Sequence, residues 1–215
     1  MLLQPQQREK LDPSNDQDFY AIPRIVTHVD EPFIDQLTNL YRERLQPNTR
    51  IFDMMSSWVS HLPDEMKFAH VEGQGMNEEE LARNPRLDHY FVQNLNENRQ
   101  FPFSDQEFDA VLNAVSVQYL QYPEEIFREI HRVLKPGGVA IISFSNRMFF
   151  QKAISAWRDS SEAMRVELVK RYFKSAGGFS KPEVMQKQPS VPPVFQMLGL
   201  GGSDPFYAVL AYREN

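Results

Sequence analysis

Apolar residues along this chain recur in two alternating rhythms. Phe33, Leu37, Leu40, Tyr41 and Leu45 fall at helical spacing behind Asp30 as N-cap and Pro32 in the first turn. Arg50–Met54 then reads as a strand, Ser57–Leu62 as a short helix stopped by Pro63, and Phe68–Glu72 as a second strand. Met76–Arg83 predicts a helix entered through Asn77, and His89–Gln93 a third strand. Phe108–Val115 is a nearly continuous apolar run, the pattern of a strand covered on both faces. Pro123–Leu134 follows as an amphipathic helix with Ile126, Phe127, Ile130, Val133 and Leu134 on one stripe. Pro136-Gly-Gly138 breaks it, and Val139–Phe144 is the next buried strand. Strands alternating with helices predict βαβ units and a parallel sheet, an α/β fold. The last third changes character. Met148–Arg158 and Glu162–Lys174 read as helices, and Phe179–Gln188 and Phe206–Tyr212 as two strands joined by a long Pro- and Gly-containing loop.

Composition narrows the function. A length of 215 residues fits one domain with a real core, and 41% hydrophobic with 24% charged residues is ordinary globular usage. The expected organisation is a flexible arm over 1–18 and a single domain over 19–215. That domain divides into a helical segment (19–48), a core (49–146) and a closing part of helices and paired strands (147–215). A formal net charge of −6 argues against a nucleic-acid partner. No window is long and apolar enough for a membrane span, and Met1–Gln17 lacks the apolar centre of a secretory signal. The absence of cysteine excludes disulfides, thiol nucleophiles and thiolate metal sites, so a cytoplasmic location is the expectation. The histidines show no metal-ligand spacing, and no metal is expected. Glu78–Glu80 reads as a solvated first helical turn.

One region is more specific. Pro102-Phe-Ser-Asp-Gln-Glu-Phe-Asp-Ala-Val111 is followed by Arg132-Val-Leu-Lys-Pro-Gly-Gly138 and then Ala140-Ile-Ile-Ser-Phe144. From about Thr49 to Phe144 the chain resembles the class I S-adenosylmethionine-dependent methyltransferases, in particular the type 11 methyltransferase domains. That resemblance implies a Rossmann-like, seven-stranded, mostly parallel sheet with helices on both faces, its last strand, Phe206–Tyr212, antiparallel. It also implies S-adenosylmethionine as cofactor, S-adenosylhomocysteine as product, and a small-molecule substrate.

Carried over position by position, the resemblance places the cofactor at Asp53, Met54, Met55, Ser56 and Ser57 after the first strand. Gly75 and Met76 follow the second strand, Asn94 and Leu95 the third, and Asn113 and Ala114 the fourth. The family's loop glycines fall on Met55 and Ser57, and its ribose-binding acid falls on Gly75, with Glu72 three residues early. Two readings of this glycine-poor site stand. In one, the Ser56 and Ser57 hydroxyls replace glycine, and Gly73 and Gly75 bring the second loop towards the ribose. In the other, Met54, Met55, Met76 or Trp58 fills the pocket, and the protein is a non-catalytic binding or regulatory module. Candidates for the substrate end are Tyr20, Arg24, His28, His61, Tyr119, Asn146 and Arg147. If Arg24 faces the pocket, a carboxylate-bearing substrate becomes plausible.

Overall fold

In the computed structural model, residues 2–187 and 202–215 are described. Their frame is a seven-stranded sheet: β1 (Arg50–Met54), β2 (His70–Gly75), β3 (His89–Val92), β4 (Phe108–Ala114), β5 (Leu134–Phe144), β6 (Glu183–Lys187) and β7 (Phe206–Tyr212). Their order across the sheet is β3-β2-β1-β4-β5-β7-β6. The pairs β1–β2, β2–β3, β1–β4 and β4–β5 are parallel, while β7 runs antiparallel to both β5 and β6. Six strands therefore share a direction and β7 alone is reversed, the expected architecture. The chain winds outward from β1 to β3, then returns to the other side of β1. That reversal between β1 and β4 opens a crevice at the strands' carboxyl ends.

The helices are α1 (Asp16–Tyr20), α2 (Glu31–Arg44), α3 (Glu78–Ala82), α4 (Pro123–Val133), α5 (Ser155–Arg158) and α6 (Glu162–Ala176). Asp30 caps α2 by accepting the Phe33 N–H, and Asn77 caps α3 by accepting that of Glu80. Each satisfies a donor that the first helical turn leaves unpaired. The sheet separates two apolar clusters. One holds Phe52, Phe101, Phe108, α4 and α6. The other packs Phe33, Leu37, Leu40 and Tyr41 of α2 against Ile51, Leu112, Ile141 and Leu210.

Several expectations are corrected. Residues 57–62 form no helix: His61 has φ +55°, and the Ser56 and Ser60 hydroxyls turn back to Asp53 instead of continuing a helical path. The second strand lies at 70–75, two residues beyond its predicted start. Between Met148 and Arg158 only Ser155–Arg158 is helical, because residues 149–153 make a separate turn. Phe179 makes an isolated bridge to Arg213, ahead of β6. The loop predicted between the last two strands falls mostly on 188–201, outside the described residues.

The N-terminal segment is the largest departure. Instead of a solvated arm, it lies packed along the domain. Leu3 is fully buried, and Arg8 pairs with Glu124 and with the Gln121 carbonyl. The Lys152 ammonium, with no exposed surface, donates to the Ser14 carbonyl (2.9 Å) and hydroxyl (3.1 Å) and lies 3.0 Å from Asp12. A buried cation must be paired, and here its partners come from residues 12–16.

Candidate active site

Asp53, next to last in β1, is 4% exposed, and its Oδ2 accepts hydrogen bonds from Ser56 Oγ and Ser60 Oγ, each at 2.6 Å. Burial raises its pKa to about 6, against the two hydroxyls that favour the charged form. The chain then turns through Met55 at φ +56°, one of the positions where the resemblance implies glycine. A non-glycine residue pays about 1–2 kcal/mol in this left-handed conformation. The turn is held by Gln74, whose Oε1 accepts the Met55 N–H at 3.0 Å and whose Nε2 donates to the Gln93 carbonyl at 2.7 Å. The Ser56 N–H also donates to the Gln74 carbonyl, at 2.6 Å. Asn84 ties the far side of the loop by donating to the Ser57 carbonyl and the Ser60 hydroxyl.

Glycine at position 75 is a packing requirement. A Cβ there would sit 2.5 Å from the Ser56 carbonyl oxygen. Gly73 likewise accommodates Leu87, at 2.4 Å from a would-be Cβ, and lies off the site. Beyond Gly75, α3 turns Glu80 inward. Its carboxylate accepts the Ser57 hydroxyl at 2.6 Å and the Arg24 backbone N–H at 2.7 Å. Asn77 Nδ2 donates to the carbonyls of Tyr20 and Ala21, so the segment after α1 is fastened across the strand ends.

These elements enclose a cavity of about 320 Å³ at the carboxyl ends of the central strands. Its wall brings together Asp53, Met55, Ser56, Ser57, Gly75, Met76, Asn94, Leu95 and Ala114 with Tyr20, Arg24, His28, His61, Tyr119 and Arg147. Three expected residues stand elsewhere. Met54 is fully buried in the core, because successive strand side chains point to opposite faces. Asn113 is buried beside Ala114, its Nδ2 donating to the Met54 carbonyl at 3.3 Å. Asn146 is exposed to solvent and absent from the wall. Glu72, the alternative acid, is also off the cavity, where its oxygens meet His70 (2.8 Å) and His89 (2.6 Å).

Sequence reasoning missed Glu80, which is 9% exposed rather than solvated, together with Gln74, Ser60 and Phe149. The Asn77-x-x-Glu80 spacing, that of a cap followed by an inward acid, was the available signal for Glu80. Among the residues expected at the substrate end, Tyr119 Oη accepts the Phe149 N–H at 2.8 Å, and Arg147 pairs with Asp204 at 2.7 Å. His61 has its pKa lowered by burial to about 4, and burial lowers that of His28 as well. Both rings are therefore neutral near pH 7. Among the described residues no group of three His, Asp or Glu side chains is placed to hold a metal.

Residues 66–142 match the family model described as a methyltransferase domain. This is a class I methyltransferase fold. A chain of the complex between the Haloferax volcanii Trm112 methyltransferase activator and its methyltransferase superposes with TM-score 0.63 at 12% identity, covering 86% of this chain and 92% of that one. A Haemonchus contortus phosphoethanolamine N-methyltransferase 2 in complex with S-adenosyl-L-methionine gives TM-score 0.56 at 16% identity, covering 84% of this chain and 52% of that one. Among curated proteins, the biotin biosynthesis bifunctional protein BioHC of Teredinibacter turnerae is 33% identical over 89 residues. That match covers 39% of this chain and only 16% of the relative's length. No helix among the described residues is long and apolar enough to cross a membrane.

The cavity suits the cofactor that such a fold implies. It offers the Glu80 carboxylate for hydroxyl groups, Met55, Met76 and Leu95 for an apolar ring, and Ser116. The Ser116 hydroxyl is buried without a hydrogen-bond partner among the described residues.

Proposed function

We propose that this chain is an S-adenosylmethionine-dependent methyltransferase acting on a small molecule. The observation that carries the reading is the loop 55–60, which borders an open cavity instead of filling it. The alternative, a non-catalytic module, needs a plugged crevice. Met54 lies in the core, while Met55, Met76 and Trp58 line the cavity and leave about 320 Å³ between them, within the range of small-molecule sites. Trp58 is held aside by its indole N–H, which donates to the Val26 carbonyl at 3.1 Å.

The residues that would hold the cofactor are Asp53 within β1, Ser56 and Ser57 after it, Met76 and Glu80 after β2, and Asn94 and Leu95 after β3. When bound, S-adenosylmethionine supplies an electrophilic methyl group. The protein's part is then to fix the acceptor in line and exclude water, and positioning of this kind supplies much of the rate. Residues of the segment 20–28 close the acceptor end over Tyr119 and Phe149. An acceptor that must lose a proton needs a base, and the wall holds His28 and His61, neutral near pH 7, together with the Asp53 carboxyl, whose pKa is raised to about 6.

Calorimetric titration with S-adenosylmethionine and with S-adenosylhomocysteine tests the reading. Micromolar binding that Ser57→Leu blocks and Asp53→Ala weakens is the expected result. Absence of heat and of any melting shift at millimolar ligand removes the proposal.

A further inference from the structure

Resting on the methyltransferase reading, we infer that the acceptor end of the cavity takes a carboxylate-bearing small molecule, held by the Arg24 guanidinium. Arg24 sits in the wall with its guanidinium carbon 4.5 Å from the Phe19 ring centre, 5.2 Å from Phe149 and 5.7 Å from Tyr20. Rings beside a guanidinium cover its faces and leave its N–H edge to recognise an anion. Among the described residues its hydrogen bonds go only to main-chain carbonyls, Phe19 at 2.9 Å and Ile22 at 3.4 Å. Five donors are available on this group, so most of the fork remains unassigned.

The surrounding charges sharpen the point. Among the described residues no carboxylate lies within ion-pair distance of the Arg24 guanidinium, whereas Arg147, the other arginine of the wall, is paired with Asp204. The cavity's own acids are engaged elsewhere. Glu80 accepts from Ser57 and from the Arg24 main chain, Asp53 from two serines, and Asp16 lies against Lys10, Lys152 and Asn96. One unmatched guanidinium in a part-apolar cavity balances one negative charge. Its planar fork fits a carboxylate, and among the described residues no second free cation stands beside it for a phosphate dianion, Arg147 and Lys152 being paired. Tyr20, Tyr119 and Phe149 line the same end and would receive an apolar or aromatic body next to that carboxylate.

The test is ligand-observed NMR on the protein saturated with S-adenosylhomocysteine, titrated with phenylacetate and octanoate against phenylacetamide and octanamide. The acids should bind about tenfold or more tightly than the amides, as hydrogen bonds to a charged group allow. Arg24→Gln should abolish that preference, and Arg24→Lys should keep part of it. Equal binding of acids and amides by the unmodified protein overturns the inference without recourse to any variant. So does an acid preference that survives in Arg24→Gln, or tighter binding of phenyl phosphate than of phenylacetate. S-adenosylhomocysteine binding without an acid preference removes this inference alone. Failure of S-adenosylhomocysteine to bind removes the methyltransferase reading beneath it.

Discussion

The Gln74 side chain accepts the backbone N–H of Met55 at 3.0 Å, on a residue whose φ is +56°. A turn that glycine would make without strain is here made by methionine and held by its neighbour on β2. Gln74 is 1% exposed and spans from Met55 to the Gln93 carbonyl, so it braces the loops after β1 and β3 together.

Gln74→Ala should therefore cost about 2 kcal/mol, since a buried group left without its partner costs about 1–3 kcal/mol. Urea denaturation would show it as a lower midpoint with an unchanged slope. Affinity for S-adenosylhomocysteine should fall as well, and unchanged affinity would separate the brace from the site.

Gly75→Ala puts a methyl 2.5 Å from the Ser56 carbonyl oxygen. Main chain on both sides must move apart, at about 1–3 kcal/mol by analogy with overpacking elsewhere. Thermal melting reads the stability, and titration with S-adenosylhomocysteine reads the displaced loop. A variant as stable as the parent would mean that the loop yields freely.

Asp53 and His61 should tilt stability in opposite directions over one pH range. The folded pKa of Asp53, raised from 3.8 to about 6, means the native state holds a proton that the unfolded chain has released. Its contribution is full below pH 4 and is lost as pH rises through 6, a change of about 3 kcal/mol. The folded pKa of His61, lowered from 6.5 to about 4, acts in reverse. Its contribution is present above pH 6.5 and is lost as pH falls through 4. Asp53→Asn should leave a protein whose stability climbs from pH 4 to 6.5, and His61→Asn one whose stability declines from pH 4 to 6. Denaturant midpoints measured across pH 4–8 check both slopes, and parallel profiles for the two variants would refute the assignment.

Lys152→Ala should release the N-terminal segment. Breaking a buried ion pair by removing one partner costs about 3–5 kcal/mol, and Lys152 faces Asp12, Ser14 and Asp16. Limited trypsin digestion should cut after Arg8 and Lys10 at least about tenfold faster, corresponding to about 1.4 kcal/mol of lost local closure. Cleavage at the parent rate would show that Arg8 and Leu3 suffice as anchors.

What the sequence displayed was whatever local chemistry decides. The cap at Asp30, the stripe of α4 and the unbroken apolar run of β4 each carry their explanation within a few residues. The family resemblance pointed to strand-end positions, most of which line the cavity. Residues 57–62 were misread because Ser60 and His61 answer to Asp53 and to the cavity rather than to helical neighbours. Glu80 looked solvated because its partners, Ser57 and the Arg24 main chain, lie 23 and 56 residues away. The N-terminal segment looked free for the same reason, its partners being more than 110 residues distant.

That distance bears on how the chain is made. Arg8 meets Glu124 across 116 positions, and Lys152 meets Ser14 across 138. A ribosome adding about 5–20 residues per second leaves residues 3–16 without their partners for about 5–30 s, until positions 121–152 have emerged. Residues 3–16 are thus made early and fastened late, whereas Tyr20 and Arg24 meet Asn77 and Glu80 within the first half of the chain; closure of the cavity over Tyr119 and Phe149 waits on translation of the second half.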